Sequence, residues 1–158
     1  MADHPEFAPI EVYLTVRGGD AASKFYQQAF GATETFRALA DDKQRLLHCN
    51  LTMFGGQIII SDEFPEHGGD TRSPLSCGGA SVTVNINLPR PAEVDEVLSR
   101  AEKAGARITM PAGDMFWGDR YGQIVDPFGH SWSFSHPLSE EAKNEAAKKW
   151  AEQCGKAA

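Results

Sequence analysis

From Ile10 to Val16 apolar and polar residues alternate, with Val12, Leu14 and Val16 on one side and Glu11, Tyr13 and Thr15 on the other. A period of two is the signature of a strand with one face buried. Arg17-Gly18-Gly19 then turns the chain, and Asp20 is placed to cap a helix. Ala22, Phe25, Tyr26 and Ala29 recur at helical spacing until Gly31 supplies a left-handed stop. Three extended runs follow, over 33–38, 46–53 and 57–61, with Asp41-Asp42 at one reversal and Gly55-Gly56 at a tight hairpin. The spacing therefore predicts β-α-β-β-β over residues 10–62.

Residues 63–79 carry Pro65, Gly68, Gly69, Pro74, Gly78 and Gly79 with little periodicity, and they read as a long connection, either linker or lid. Beyond it the first pattern returns. Val82, Val84, Ile86 and Leu88 alternate with Ser81, Thr83, Asn85 and Asn87, Pro91 suits a first helical turn, and Val94, Val97, Leu98 and Ala101 form a stripe that Gly105 ends. Runs at 107–110, 121–125 and 131–135 supply three more strands, the last two joined by Asp126-Pro127-Phe128-Gly129 with type I turn preferences. Phe30-Gly31-Ala32 corresponds to Ala104-Gly105-Ala106, so residues 80–136 read as a second copy of the first module. The expected fold class is α+β: one domain of two βαβββ modules with an appended C-terminal helix over 139–153. That helix opens on Ser139-Glu140-Glu141, acid before base as its dipole favours. Its thin apolar face of Ala142, Ala146, Ala147 and Trp150 should dock on its own domain or on a partner subunit.

Composition narrows the function classes. Fifteen basic against 22 acidic residues leave a net charge of −7, with no Lys/Arg stripe, which argues against nucleic acid. No apolar run approaches the roughly 20 residues that span a bilayer. Cys49, Cys77 and Cys154 show no CxxC spacing and no hydrophobic leader precedes them, so reduced thiols in a cytoplasm are expected.

A sheet covered by a helix on one face leaves the other to line a cavity. Here that face offers Glu11, Tyr13, Thr15, His48, Asn50, Thr52, Ser81, Thr83, Asn85 and Asn87. Glu11 and His48 are the candidate catalytic pair, able to exchange a proton if their strands adjoin. Either residue can equally be structural, a hydrogen-bonded carboxylate or a histidine held by a carbonyl. Tyr13, Asn50 and Asp62 are candidate ligand-binding residues. Phe116, Trp117 and Tyr121, following Pro111-Ala112-Gly113 in a predicted loop, could wall an organic ligand or close the end of the sheet by packing. Asp126 reads as turn chemistry, Trp132 and Phe134 as core, and Cys49 as a small buried hydrophobe.

Several of these segments carry a family likeness. Val12-Tyr13-Leu14-Thr15-Val16, Phe25-Tyr26, Phe30-Gly31-Ala32, His48, the Gly-Gly hairpin before Ile58-Ile59-Ile60-Ser61-Asp62, and above all Trp117-Gly118-Asp119-Arg120-Tyr121-Gly122 leading to Asp126-Pro127-Phe128-Gly129-His130-Ser131-Trp132 form the set. Together, over about residues 9–136, they resemble the PhnB-like branch of the vicinal-oxygen-chelate superfamily of glyoxalases, bleomycin-resistance proteins and dioxygenases. The resemblance implies homodimers and, in metal-dependent members, four side chains on the first and last strands of each module converging on one divalent ion. Carried onto this chain, those positions are Glu11, Ile60, Ser81 and Ser133, of which only Glu11 is an ordinary ligand. The expectation is a protein that binds a small organic ligand without the usual metal or any cofactor. The alternative is a lyase, isomerase or dioxygenase-type enzyme using Glu11 and His48 as acid and base, or with Asp62 in a displaced, weak divalent-metal site.

Overall fold

The computed structural model describes residues 10–155. The chain divides into two compact units, Met1–Ala80 and Ser81–Ala158. The first contains β1 (Val12–Val16), α1 (Gly19–Phe30), β2 (Thr33–Leu39), β3 (Leu46–Met53), β4 (Gly56–Asp62), a 3-10 turn at Pro65–His67 and the one-turn helix α2 (Pro74–Cys77). The second contains β5 (Thr83–Asn87), α3 (Pro91–Lys103), β6 (Arg107–Asp114), β7 (Asp119–Val125), β8 (Ser131–Pro137) and α4 (Glu140–Gly155). Each unit holds one four-stranded sheet, ordered β1-β4-β3-β2 and β5-β8-β7-β6. In both, the first pair is parallel and the others antiparallel. Equal element order, strand order and strand direction establish the expected repetition of a βαβββ unit.

Each sheet buries one face under its helix. In the first unit Ala22, Phe25, Tyr26, Ala29 and Phe30 of α1 are buried with Val16, Leu46, Cys49, Leu51, Ile58 and Ile60 of the sheet. In the second, Val94, Val97, Leu98 and Ala101 of α3 are buried with Ile124, Trp132 and Phe134. Trp132 and Phe134 are completely inaccessible, so truncating either to Ala should cost about 3–5 kcal/mol. No helix among the described residues is long and apolar enough to cross a membrane.

Three local expectations need correction. Asp20 does not cap α1. It sits in the first turn and pairs with Lys24 and Arg37, while Gly18 occupies the cap with φ 95°. The cap comes instead from Asp62 at the end of β4, whose Oδ1 accepts from Gly18 N at 2.8 Å and Gly19 N at 2.9 Å. The β3–β4 hairpin turns on Phe54 (φ 51°) and Gly55 (φ 76°), one residue earlier than the Gly-Gly pair suggested. Two positive φ values are what a two-residue hairpin of matching twist requires. Finally, Pro111-Ala112-Gly113 belongs to β6, not to a loop. β6 is an edge strand with register shifts on either side of Met110, where a proline without an N–H is tolerated.

The connection 63–79 is folded onto the first unit. Glu63 accepts from Ser73 N at 3.0 Å and from Ser76 Oγ at 2.7 Å, and it pairs with Arg17 Nε at 2.9 Å. These donors hold its carboxyl down at about 2, the Ser73 N–H first among them.

Candidate functional site

The strand register assembles the open face of the first sheet. Tyr13 lies opposite Ile59, Ile59 opposite Asn50, and Asn50 opposite Phe36, so one row crosses all four strands. The next row carries Thr15, Ser61, His48 and Ala38. Tyr13 and Phe36 are half exposed. His48 stands between them, its ring edge-on to both, with centroids 5.9 Å from Tyr13 and 5.8 Å from Phe36. Asn50 Oδ1 is buried and has no hydrogen-bond donor. A buried acceptor without a partner carries a desolvation cost of about 1–3 kcal/mol, which a donor on a bound molecule would remove.

Glu11 and His48 are not brought together. Glu11 precedes β1 alongside Gln57, whose Nε2 donates to it at 2.6 Å. Gln57 pairs with Thr52, four residues along β3 from His48. Two strand spacings and four residues put the pair roughly 16 Å apart. Ile60, at an inherited ligand position, pairs with Leu14 on the helix-covered face and is fully buried, so Ile59 and Ser61 are the β4 residues that share a face with Glu11. In the second unit Ser81 is exposed ahead of β5, and Ser133 donates to Asn85 at 2.8 Å. Asp62 is also engaged: besides its two glycine donors, Oδ2 accepts from Leu46 N at 2.7 Å. This donor set does not fit a divalent ion. Among the described residues no three His, Cys, Asp or Glu side chains are grouped as metal ligands.

What the first unit does form is a cavity of about 890 Å³ at one end of the open face. Tyr13, Thr15 and Ser61 supply its sheet side, the β2–β3 turn and Leu47 one wall, and Phe64, His67, Gly69 and Thr71 of the connection the other. Such a volume suits a small organic molecule. Arg45 fixes the connection in place. Its guanidinium sits 4.4 Å over the Phe64 ring, donates to Asp42 at 2.6 Å and to Glu66 at 2.5 Å, and contacts the Glu63 carbonyl. Of the expected ligand residues, Tyr13 and Asp62 line this cavity, while Asn50 lies outside the lining, two strands from Tyr13 in the same row. Phe64 and His67 could not be read as site residues because no periodicity marks a connection that folds back on a sheet, and Asp41 and Leu47 read only as a reversal and a strand residue.

The middle of the second sheet's open face is built from amides and hydroxyls, with Arg107 at its β6 edge in the row of Thr83, Ser131 and Val125. Asn85 and Asn87 interlock with Ser133 and Ser135, with Ser135 Oγ 2.9 Å from Asn87 Oδ1 and Asn85 Nδ2 3.1 Å from Ser135 Oγ. Tyr121 lies in β7 opposite Ser135. Phe116 and Trp117 sit in the tight β6–β7 turn, closed by Met115 N to the Asp119 carbonyl at 2.8 Å. Phe116 stacks on Trp150 of α4 at 4.7 Å, and Trp117 meets Tyr121 edge-on at 5.6 Å. Phe116, Trp117 and Trp150 line a groove of about 660 Å³ between the hairpin and α4. The Phe116–Trp150 stack joins the terminal helix to the hairpin.

Two βαβββ units, each with one face covered by a helix and one left open, define the architecture of a known class of binding proteins and enzymes. The sequence profile of the Glyoxalase/Bleomycin resistance protein/Dioxygenase superfamily matches residues 6–134, and the chain belongs to that superfamily. It is 37% identical over 129 residues to the uncharacterized protein Mb0911c of Mycobacterium bovis, covering 81% of this chain and 82% of that one. The crystal structure of TioX from Micromonospora sp. ML1 is similar with a TM-score of 0.62 and 27% identity, over 84% of this chain and 100% of that one. The PhnB protein of Bacillus cereus shares the fold, with a TM-score of 0.63 and 20% identity over 82% and 99% of the two chains.

Proposed function

We propose that this protein binds a small organic molecule and needs no divalent metal to do so. The observation that carries the reading is the 890 Å³ cavity on the open face of the first sheet, bordered by an aromatic row that contains the unpaired Asn50 oxygen. A molecule with an apolar body would cover Tyr13 and Leu47, and a donor group reaching along the Tyr13 row would satisfy Asn50. Proton transfer by Glu11 and His48 acting as a pair finds no support in a register that sets them four residues and two strands apart.

The two open sheet faces and the exposed edge residues Phe36 and Leu39 favour a homodimer that covers them. Three free cysteines favour a reducing cytoplasm. The test is a thermal-shift screen of small organic compounds on chelator-treated protein, followed by calorimetry on the hits. Binding that survives chelation and weakens at least fivefold in Tyr13→Ala supports the reading. Binding that appears only after zinc or nickel is added, or that ignores Tyr13→Ala, refutes it.

A further inference from the structure

The cavity in the first unit has a charge character that its shape alone does not require. Three aspartates line it, Asp41, Asp42 and Asp62, against the single arginine Arg45. Their partners differ. Asp62 is occupied by the N–H groups of Gly18, Gly19 and Leu46. Asp42 is occupied by the N–H groups of Gln44 and Arg45 and by the Arg45 guanidinium. Arg45 is in turn shared between Asp42 and Glu66, so one cation already serves two carboxylates. Asp41 has no hydrogen-bond or ion-pair partner among the described residues, although it lines the cavity wall. Apart from the His67 imidazole, the lining holds no second basic side chain to receive an anionic guest. The same lining offers apolar and aromatic surface: Leu47 and Tyr13 are half exposed, and Phe64 already receives one cation, the Arg45 guanidinium, over its ring.

Resting on the reading of the cavity as a ligand site, we propose that its guest is an organic cation, an amine or quaternary ammonium on an apolar body. Asp41 supplies the counter-charge, and the Tyr13 ring and Leu47 cover the hydrocarbon. An aromatic face and an unpaired carboxylate are complementary to a weakly hydrated ammonium, and the same wall repels a carboxylate or sulfonate. Because the Asp41 pair would be partly solvated, its share in affinity is modest and sensitive to salt.

The test uses three probes on one naphthylmethyl body, carrying trimethylammonium, hydroxyl or sulfonate, titrated by calorimetry into the full chain at low and high salt. The ammonium should bind at least tenfold tighter than the sulfonate and several-fold tighter than the alcohol. Asp41→Asn should weaken the ammonium about fivefold and leave the alcohol unchanged. Leu47→Lys, at an exposed position, should weaken the ammonium more than the alcohol. Equal binding of the three probes, or ammonium binding indifferent to Asp41→Asn, overturns the cation proposal while leaving ligand binding at this site intact. Binding of none of them overturns the cation proposal, and the compound screen then decides ligand binding independently.

Discussion

Asp62→Asn removes a negative charge and keeps the size of the side chain, so its effect can be worked from three hydrogen bonds. Asp62 is 5% exposed and accepts from Gly18 N and Gly19 N through Oδ1 and from Leu46 N through Oδ2. The amide keeps one oxygen for the two glycine donors and turns its NH2 toward the Leu46 N–H, at a distance that is now 2.7 Å. An unpaired buried donor costs about 1–3 kcal/mol, and the two remaining bonds lose their charge assistance. The expected loss is about 3 kcal/mol, or roughly 6–12 °C in Tm for a chain of this length. Urea denaturation followed by circular dichroism measures it. Asp41→Asn, at an exposed turn, is the control and should stay within about 0.5 kcal/mol. A loss below about 1 kcal/mol in Asp62→Asn would refute the assignment of Asp62 as the tertiary cap of α1.

Gly122→Ala should destabilise by about 1–3 kcal/mol through overpacking, since a Cβ there would stand 2.5 Å from Leu98 Cδ2; equilibrium denaturation checks it. Gly19→Ala should behave alike, because its Cβ would meet Asp62 Oδ2 at 2.6 Å and the Leu46 side chain at 2.9 Å. Glu34 is held down to about 2 by the Arg37 guanidinium, aided by the Ser23 hydroxyl. Its folded carboxyl thus ionises well below the unfolded value near 4.5, and the stability it contributes is complete above that value and lost as pH falls toward 2. Glu34→Gln should flatten that part of an acid-denaturation profile. Emission spectroscopy of protein purified without added metal should find no stoichiometric zinc or nickel.

The secondary structure was legible because each strand and helix buries one face against the other, and that leaves a period of two or 3.6 in the residues themselves. Tyr13, His48 and Asn50 were placed on the open face by the same alternation. What failed depended on partners distant in sequence. The cap of α1 is supplied by Asp62, 44 residues from Gly18, while the nearer Asp20 looked better placed. Ile60 was assigned to the wrong face because the parallel β1–β4 register, which sets it against Leu14, leaves no mark within either strand. The separation of Glu11 from His48 follows from that register too. The cavity wall at 64–71 was invisible as a wall: its Gly and Pro content marks a connection, but the Arg45 contacts with Phe64 and Glu66 and the Arg17–Glu63 pair determine where it lies.

The central claim, a metal-free ligand site on the open face of the first sheet, is tested most directly by heteronuclear NMR. The naphthylmethyl trimethylammonium probe, or a hit from the compound screen, is titrated into isotope-labelled, chelator-treated protein. Backbone and side-chain shifts should concentrate at Tyr13, Thr15, Asp41, Leu47, Ser61 and Phe64, and they should be unchanged when zinc is supplied. Shifts confined to Phe116, Trp117 and Trp150, or binding that requires added metal, would contradict it.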